Sequence, residues 1–241
     1  MYFMDMHCHM LPGVDDGARD MDTAMEMIGI AYSQGIRSVM FTPHYYLGKT
    51  KHSADKLREV FEVFSARVLA EYKDIKLYLG TEIYYEKGVV KALKDGQILS
   101  LADTQYVLVE FSPRVSYTEL YGAIRELVQG RFRPVIAHVE RYQCLIKHVE
   151  RIHELTENGA YLQMNASSLC GGIFDSHVKW CRKLVLEGYI SILGTDAHDT
   201  EERGPYVEQT VSWLQKKLEP IALELICRGN GELLVQNQYL K

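Results

Sequence analysis

Cysteine is sparse in this sequence of 241 residues, and no two cysteines are close enough to form a CxxC pair. The five that are present are spread over the whole chain, at Cys8, Cys144, Cys170, Cys181 and Cys227. An odd number at this spacing excludes a disulfide framework and a cysteine-based zinc knuckle. We therefore expect the protein to work in a reducing cytoplasm.

Long apolar runs are also missing. No stretch approaches the roughly 20 apolar residues that a membrane-spanning helix needs. The first ten residues, MYFMDMHCHM, contain an aspartate and two histidines where a signal peptide needs an apolar segment. The sequence therefore predicts neither insertion into a membrane nor a secretory signal.

A surplus of basic residues is absent as well. Lys and Arg total 27 against 32 Asp and Glu, which gives a net charge of −5 at pH 7. This balance, without a long basic cluster, gives no electrostatic indication of a nucleic-acid or anionic-membrane partner. No low-complexity linker or internal repeat interrupts the chain, so we expect a single domain over residues 1–241.

Seven short apolar runs alternate with segments of helical spacing, which predicts an α/β fold of parallel strands covered by helices. Seven or eight such units close into a barrel, so we expect a single distorted (β/α)7-type barrel. The predicted strands are residues 1–9, 37–44, 75–82, 106–111, 133–140, 161–165 and 190–198. The predicted helices are residues 20–34, 53–73, 116–129, 148–158 and 175–187.

Side chains of the kind that bind metals fall at or near the ends of these strands. The carboxyl ends of barrel strands converge on one mouth, and residues i and i+2 project from the same face of a strand. The nine candidates are His7, His9, Asp16, His44, Glu82, Glu110, His138, Asp196 and His198. Nine ligands exceed what one ion takes, so we expect two or three ions with Glu82 as their bridge.

Each motif has a plainer explanation when it is taken alone. His7 and His9 also suit a hydrogen-bonded pair within a strand, and GVDDG also suits a simple turn. The coincidence of nine such residues at matching strand ends is what favours a metal centre. Imidazole and carboxylate ligands without thiolate suit Mn²⁺, Fe²⁺ or Zn²⁺. Within the turn we expect Asp16, and not Asp15, to be the ligand.

Two arginines follow the predicted ligands. Arg141 lies three residues beyond His138, and Arg203 lies five residues beyond His198. Metal ions repel a guanidinium unless an anion lies between them, and the planar fork of N–H donors fits phosphate. We therefore expect both arginines to be catalytic residues that bind a phosphoryl group. The alternative for each is a surface salt bridge.

Six segments together resemble the polymerase-and-histidinol-phosphatase (PHP) superfamily: DMHCHMLPGVDDG, TPHY, GTEIYY, VLVEFS, VIAHVERY and GTDAHD. More narrowly, they are similar to its bacterial manganese-dependent protein-tyrosine phosphatases of capsule and exopolysaccharide operons. The match runs in order from residue 4 to about residue 205. DDG, EIYY and HVERY carry the narrower resemblance, because His-x-His is shared by many amidohydrolase-type barrels.

The resemblance implies a distorted PHP barrel with the metal site at the C-terminal ends of the strands. It implies two or three divalent ions, manganese first and iron or zinc as alternatives. One ion would be held by His7, His9, Glu82 and Asp196, the second by Glu82, Glu110 and His138, and the third by Asp16, His44 and His198. Arg141 would stabilise phosphate. Arg203 would do the same, although the loop after Asp-x-His varies in length.

The resemblance implies hydrolysis of phosphotyrosine on proteins, with an autophosphorylated bacterial tyrosine kinase as the partner. A cysteine nucleophile is excluded, because Cys144 is followed by an arginine only at Arg151, one residue too late for a C-x5-R loop. Three alternatives stay open: a phosphatase of small esters such as histidinol phosphate, a nuclease, and a non-catalytic binding module. The net charge counts against the nuclease. The segment after Pro220 matches no motif.

Overall fold

The apolar runs form short strands in the computed structural model of the chain, which describes residues 2–172 and 174–241. Every strand pairing in it is parallel. The nine strands of this described part are β1 (Phe3–Cys8), β2 (Ile36–Phe41), β3 (His44–Tyr45), β4 (Lys76–Leu79), β5 (Glu82–Tyr84), β6 (Tyr106–Glu110), β7 (Arg133–Ile136), β8 (Tyr161–Asn165) and β9 (Ile192–Gly194).

The strands form two sheets, in the orders β1-β2-β4 and β3-β5-β6-β7-β8-β9. β3 continues β2 after a break that contains Pro43, and β5 continues β4 after a break that contains Gly80. Hydrogen bonds from Gly80 N to Phe41 O (2.8 Å) and from Glu82 N to Pro43 O (3.1 Å) cross the break. A side chain at residue 80 would lie 2.6 Å from Leu101, so the close approach there requires glycine.

The outer strands also meet. His9 N donates a hydrogen bond to Ala197 O at 2.9 Å, and Asp196 N donates one to His7 O at 2.7 Å. These bonds join β1 to the segment that follows β9, so the parallel sheet is strongly curled. The predicted α/β class is confirmed, and the count of seven β/α units stays a prediction.

The described residues contain nine α-helices: α1 (Met21–Ser33), α2 (Ala54–Glu71), α3 (Val89–Lys94), α4 (Tyr117–Gln129), α5 (Val149–Glu157), α6 (Ser176–Leu186), α7 (Glu208–Lys217), α8 (Pro220–Glu224) and α9 (Asn230–Val235). The five predicted helices are confirmed. Asp20 and Ser53 cap α1 and α2, and Ser116 with Glu119 forms a complete capping box on α4. None of these helices is long and apolar enough to cross a bilayer.

The role of the segment after Pro220 was not predicted from the sequence. Leu234 of α9 packs in a buried cluster with Met4, Met6 and other side chains from the inner face of the sheet. A Cβ atom at Gly231 would lie 2.6 Å from the sulfur of Met4, so glycine lets α9 approach without displacing the buried methionines. The Tyr106 hydroxyl donates to the carbonyl of Gln238 at 2.7 Å. The segment after Pro220 thus covers the amino-terminal end of the strands and leaves their carboxyl ends for a site.

The strands are shorter than predicted, which moves the candidate ligands relative to them. His44 and Glu82 begin β3 and β5, where the sequence placed them at strand ends. His138, Asp196 and His198 lie beyond the last residues of β7 and β9. His138 and Asp196 adopt left-handed backbone angles, with φ of 31° and 54°, and such a residue cannot continue a strand.

Candidate metal centre

Glu82 lies fully buried at the middle of the site. Its Oε2 atom is 3.2 Å from His7 Nε2, 3.3 Å from His9 Nε2 and 3.0 Å from His44 Nδ1. Its Oε1 atom is 2.8 Å from His138 Nε2. Burial alone would raise the pKa of Glu82, but His7 and the contacts with His138 and His44 hold it well below its usual range. One carboxylate therefore joins four histidines from three parts of the chain.

A second group lies on the side of the turn after β1. Asp16 Oδ1 is 3.5 Å from both His44 Nε2 and His198 Nε2, and the rings of His9 and His198 lie 4.0 Å apart. The Asp16 side chain is 68% exposed, whereas the three histidines are mostly buried. Burial and the neighbouring His9 lower the pKa of His198 to about 4, which keeps its imidazole neutral at pH 7. A neutral imidazole is the form that binds metals.

Glu110 completes the side of the site that is formed by β6. Its Oε1 atom is 3.4 Å from His44 Nδ1, and its Oε2 atom is 3.7 Å from His138 Nε2. Burial alone would lower the pKa of His44, but Glu110 and Glu82 raise it to about 10. The side has a surplus of negative charge, so it attracts protons or other cations.

Asp196 presents its two oxygens to different neighbours. Oδ1 lies 3.7 Å from His7 Nε2 and 3.5 Å from His9 Nε2. Oδ2 accepts hydrogen bonds from Asn165 Nδ2 at 2.9 Å and from Arg141 Nη2 at 2.6 Å. Burial alone would raise its pKa, yet His9, His7 and Arg141 hold the pKa far below the usual range. One oxygen therefore faces the histidines while the other is anchored.

The structure brings all nine predicted ligands together. Each has a side-chain nitrogen or oxygen within 3.5 Å of a ligand atom on another member of the set. Three overlapping groups have ligand atoms within 4.8 Å of one another: His9, Asp16, His44 and His198; His7, His9 and Glu82; and His44, Glu82 and Glu110. These groups differ from the sets that the resemblance implies, since His9 and His44 each belong to two of them.

Both predicted arginines reach the same carboxylate. Arg203 Nη2 donates to Asp196 Oδ2 at 3.2 Å, beside the shorter bond from Arg141. The side chains are 45% and 42% exposed, so each presents part of its guanidinium to solvent at the edge of the site. Among the described residues, Asp196 is the partner of both, and neither arginine pairs with a surface glutamate. Both arginines thus form their ion pairs with a buried carboxylate of the site, and their binding of a phosphoryl group stays a prediction.

Several supporting residues escaped the sequence analysis. Gln163 Oε1 lies 3.0 Å from His7 Nδ1 and accepts a hydrogen bond from His138 N at 2.7 Å. Gln163 Nε2 donates to Asn165 Oδ1 at 3.1 Å, and Asn165 in turn holds Asp196. Two buried amides on β8 thus fix His7 on β1 and the residues His138 and Asp196, which follow β7 and β9. Their signal in the sequence is YLQMN, where polar residues alternate within an apolar run.

Asp15, which the sequence analysis set aside, also contacts the predicted ligands. Its Oδ2 atom is 2.7 Å from His9 Nδ1 and accepts a hydrogen bond from His44 N at 3.0 Å. Burial alone would raise its pKa, but His9 and the backbone nitrogens of Gly17 and His44 lower it. A carboxylate on the far ring nitrogen orients a metal-ligating histidine. Asp15 therefore supports the ligands while Asp16 faces the other histidines.

The donor atoms fit divalent metal ions. Three buried atoms, His44 Nδ1, Glu82 Oε2 and His198 Nε2, make no well-aligned hydrogen bond among the described residues, although the first two lie 3.0 Å apart. Buried polar atoms are almost always satisfied, so a cluster of such atoms within one site indicates a missing partner. Imidazole nitrogens and carboxylate oxygens are the ligands that Mn²⁺, Fe²⁺ and Zn²⁺ accept.

A family model described as "Capsular polysaccharide synthesis, CpsB/CapC" matches residues 3–236. The tyrosine-protein phosphatase YwqE of Bacillus subtilis is 33% identical over 240 residues, which cover 98% of this chain and 92% of that protein.

The solved structures that resemble the fold include two with very different sequence identity. One, described as belonging to "YwqE from Bacillus subtilis and CpsB from Streptococcus pneumoniae, unique metal-dependent tyrosine phosphatases", has a TM-score of 0.88 and 31% identity, and covers 99% of this chain and 97% of that one. The other is the phosphotriesterase homology protein of Escherichia coli, with a TM-score of 0.63, 13% identity and coverage of 98% and 99%. It is similar in fold alone. On the family match and the identity to YwqE, the chain belongs to the CpsB/CapC family of capsular polysaccharide synthesis proteins.

Proposed function

We propose that this chain is a metal-dependent protein-tyrosine phosphatase that acts in capsular polysaccharide synthesis. Its family, the name of its Bacillus subtilis relative and the description of the matching solved structure support this activity. The observation that carries the proposal is the contact of the buried Glu82 carboxylate with four histidines. Clusters of two metal ions are a common means of hydrolysing phosphate esters, and a shared carboxylate suits their bridge.

Two or three divalent ions, manganese first and iron or zinc as alternatives, would be held by the nine clustered residues. The proposed sets are His7, His9, Glu82 and Asp196; Glu82, Glu110 and His138; and Asp16, His44 and His198. The close contacts within each set support this assignment. When bound, the ions would supply Lewis-acid stabilisation of the negative charge on the phosphoryl group.

The chain's own residues orient these ligands. Gln163 holds His7 through Nδ1, and Asp15 holds His9 through Nδ1, so that Nε2 of both rings points towards Glu82. Such partners fix the tautomer and the direction of a ligating imidazole. Asn165 likewise fixes the orientation of the Asp196 carboxylate, because it holds Oδ2 while Oδ1 faces the histidines.

Arg141 and Arg203 would bind the phosphoryl oxygens. Each uses one nitrogen on Asp196, and a guanidinium has five N–H donors in a planar fork. The remaining donors lie at the partly exposed edge of the site, where a phosphate ester enters. A tyrosinate leaving group has an ordinary pKa of about 10 and needs little help from a general acid. The proposed machinery therefore suits phosphotyrosine.

We also propose a domain organisation, a protein substrate and a cellular location for the chain. The chain would be one domain over residues 1–241 with a (β/α)7-type barrel, which the bonds between β1 and residues 196–197 support. Its protein substrate would be a bacterial tyrosine kinase, in keeping with the capsule family. It would work in the cytoplasm, which the cysteine pattern favours.

The test compares three substrates with the Mn²⁺-loaded protein: a phosphotyrosine peptide, histidinol phosphate and single-stranded DNA. We expect kcat/KM for the peptide to exceed that for histidinol phosphate by at least about tenfold, which is roughly 1.4 kcal/mol of selectivity. DNA should not be cleaved. A preference for histidinol phosphate would overturn the substrate assignment, and hydrolysis of none of the three would overturn the proposed activity.

A further inference from the structure

Tyr46 borders the candidate metal centre on the side of β3. It lies one residue beyond the end of this strand and is partly buried. Its ring centroid lies 5.6 Å from that of His44, and its hydroxyl donates a hydrogen bond to Glu110 Oε1 at 3.4 Å. Tyr46 therefore lies against two of the nine candidate ligands without being one of them.

The Tyr46 side chain is held in place from several directions. The ring of Tyr84, on β5, stacks on it with centroids 5.5 Å apart and an angle of 28° between the ring planes. Tyr46 N donates a hydrogen bond to Thr50 Oγ1 at 2.6 Å, and Tyr46 O accepts one from Thr50 N at 3.0 Å. Because backbone, hydroxyl and ring all have partners, a ligand that binds against this ring need not order it first.

A cavity of about 260 Å³ opens beside the Tyr46 ring. Its lining includes Tyr46, Val14 and the candidate ligands Asp16 and His44. Sites for drug-sized ligands have volumes of about 300–1,000 Å³, so this cavity suits a single ring. A ring in it would lie between an aromatic wall and the candidate metal centre.

The ring of phosphotyrosine is joined to phosphorus through one oxygen atom. When the phosphoryl group is at the metal centre, this ring must therefore lie against a residue that borders the candidate ligands. In the described part of the chain, the tyrosine rings that pack against candidate-ligand histidines are those of Tyr46 and Tyr142. Tyr142 is fully buried, whereas Tyr46 is partly exposed and lines the cavity.

We propose that Tyr46 is a specificity-determining residue that binds the phenyl ring of phosphotyrosine, with Tyr84 as its support. The proposal rests on the proposed function, and it names the contact by which the site prefers aryl to alkyl phosphates. Aromatic rings attract one another in both edge-to-face and offset-stacked geometry, and an alkyl ester has no ring to offer. A phenyl ring is uncharged, so its binding does not depend on charged side chains of the rim such as Lys51.

The test measures the binding of benzylphosphonate and ethylphosphonate to the Mn²⁺-loaded protein by titration calorimetry. Both carry the same phosphonate group and only the first has a ring, so the ratio of the ethylphosphonate Kd to the benzylphosphonate Kd reports the contact with the ring. The wild-type protein should bind benzylphosphonate more tightly. In Tyr46→Leu the ratio should fall about 2- to 12-fold, the usual contribution of an aromatic pair.

Three further variants separate the ring from other effects. Tyr46→Phe keeps the ring and removes the bond to Glu110, so it should keep the wild-type ratio. Tyr84→Leu removes only the support and should lower the ratio less than Tyr46→Leu does. Tyr239→Leu is the matched control: its side chain is 70% exposed and packs against Arg133 at the amino-terminal end of β7, away from the site. It should leave the ratio unchanged.

Three outcomes would overturn the inference: equal affinity of the wild-type protein for the two phosphonates, a wild-type ratio in Tyr46→Leu, or the same loss in Tyr239→Leu. If Tyr46→Leu does not fold, Tyr84→Leu takes its place, and an unchanged ratio there would overturn the inference.

The failure of the proposed function is a separate result, because calorimetry does not depend on turnover. In that case the wild-type protein would hydrolyse neither a phosphotyrosine peptide nor 4-nitrophenyl phosphate. An enzyme that hydrolyses both but binds the two phosphonates equally well contradicts only the role of Tyr46.

Discussion

Gln163 on β8 holds His7 on β1 by a hydrogen bond of 3.0 Å between its side-chain oxygen and Nδ1 of the ring. The same oxygen accepts the backbone N–H of His138 at 2.7 Å, which fixes the amide with its oxygen towards both residues. His7 must then carry its proton on Nδ1 and present Nε2 to Glu82. Gln163 is not itself a proposed metal ligand, yet it sets the orientation of His7, which is one.

Gln163→Met removes this acceptor at similar volume. We expect Mn²⁺ affinity to fall by about 10- to 100-fold, as for other partners of ligating histidines. Gln163→Glu keeps an acceptor at this point and should bind Mn²⁺ more tightly than Gln163→Met. Titration calorimetry with Mn²⁺ measures both, and Gln215→Met on the exposed face of α7 is the control. Wild-type affinity in Gln163→Met would show that the contact does not matter.

Arg141 is predicted to act on the phosphoryl group and not on metal binding. Asp196 keeps its bond to Asn165 when Arg141 is removed, so the carboxylate stays in place. Arg141→Ala should retain the full metal content yet lose about 10²- to 10³-fold in kcat, the usual effect of deleting one preorganised donor. Arg141→Lys should recover only part, because an ammonium lacks the bidentate fork. Metal analysis paired with steady-state kinetics separates a role on the phosphoryl group from a role in metal binding. A loss of metal in proportion to the loss of activity would contradict the first role.

His138→Ala should empty part of the site. His138 Nε2 is 2.8 Å from Glu82 and 3.7 Å from Glu110, so its loss removes the imidazole that lies between these two carboxylates. We expect lower metal content and a kcat lower by orders of magnitude, with circular dichroism unchanged. His153→Ala, on the exposed face of α5, is the control. A fully loaded and active His138→Ala protein would refute the proposed ligand set.

Activity should not depend on thiols. Burial raises the pKa of Cys181 and Cys227 to about 12, so almost no thiolate is present at pH 7, and its fraction grows only as the pH rises towards that value. Cys144→Ser should keep wild-type kcat/KM, and iodoacetamide at pH 7 should leave the folded protein active. Inactivation that follows the modification of a single cysteine, tracked by mass spectrometry, would argue for a cysteine nucleophile.

The sequence predicts the class of fold and the nine side chains that the structure brings together, because both depend on local patterns. Helix α4 follows from Ser116 and Glu119, whose capping box is visible as a spacing of three residues. The nine candidate ligands stand out because histidine and carboxylate recur where apolar runs end. Their convergence at one end of the sheet follows from the rule that parallel strands end at one face.

What escapes the sequence depends on contacts between distant segments. Gln163 and Asn165 are ordinary polar residues until β8 is placed beside β7 and β9. The left-handed backbone of His138 and Asp196 cannot be read from the sequence. Neither residue can continue its strand in that conformation. Helix α9 contacts the inner cluster through Gly231, Leu234 and Val235, which give no periodic signal in so short a helix.

The most direct measurement of the central claim is phosphate release from one phosphotyrosine peptide as metal is removed and returned. The protein is dialysed against a chelator, its metal content is determined, and Mn²⁺ is added back stepwise. We predict that turnover falls to the background with the metal and recovers fully as two to three ions per chain are restored. Wild-type turnover by a protein that holds no metal would contradict the account.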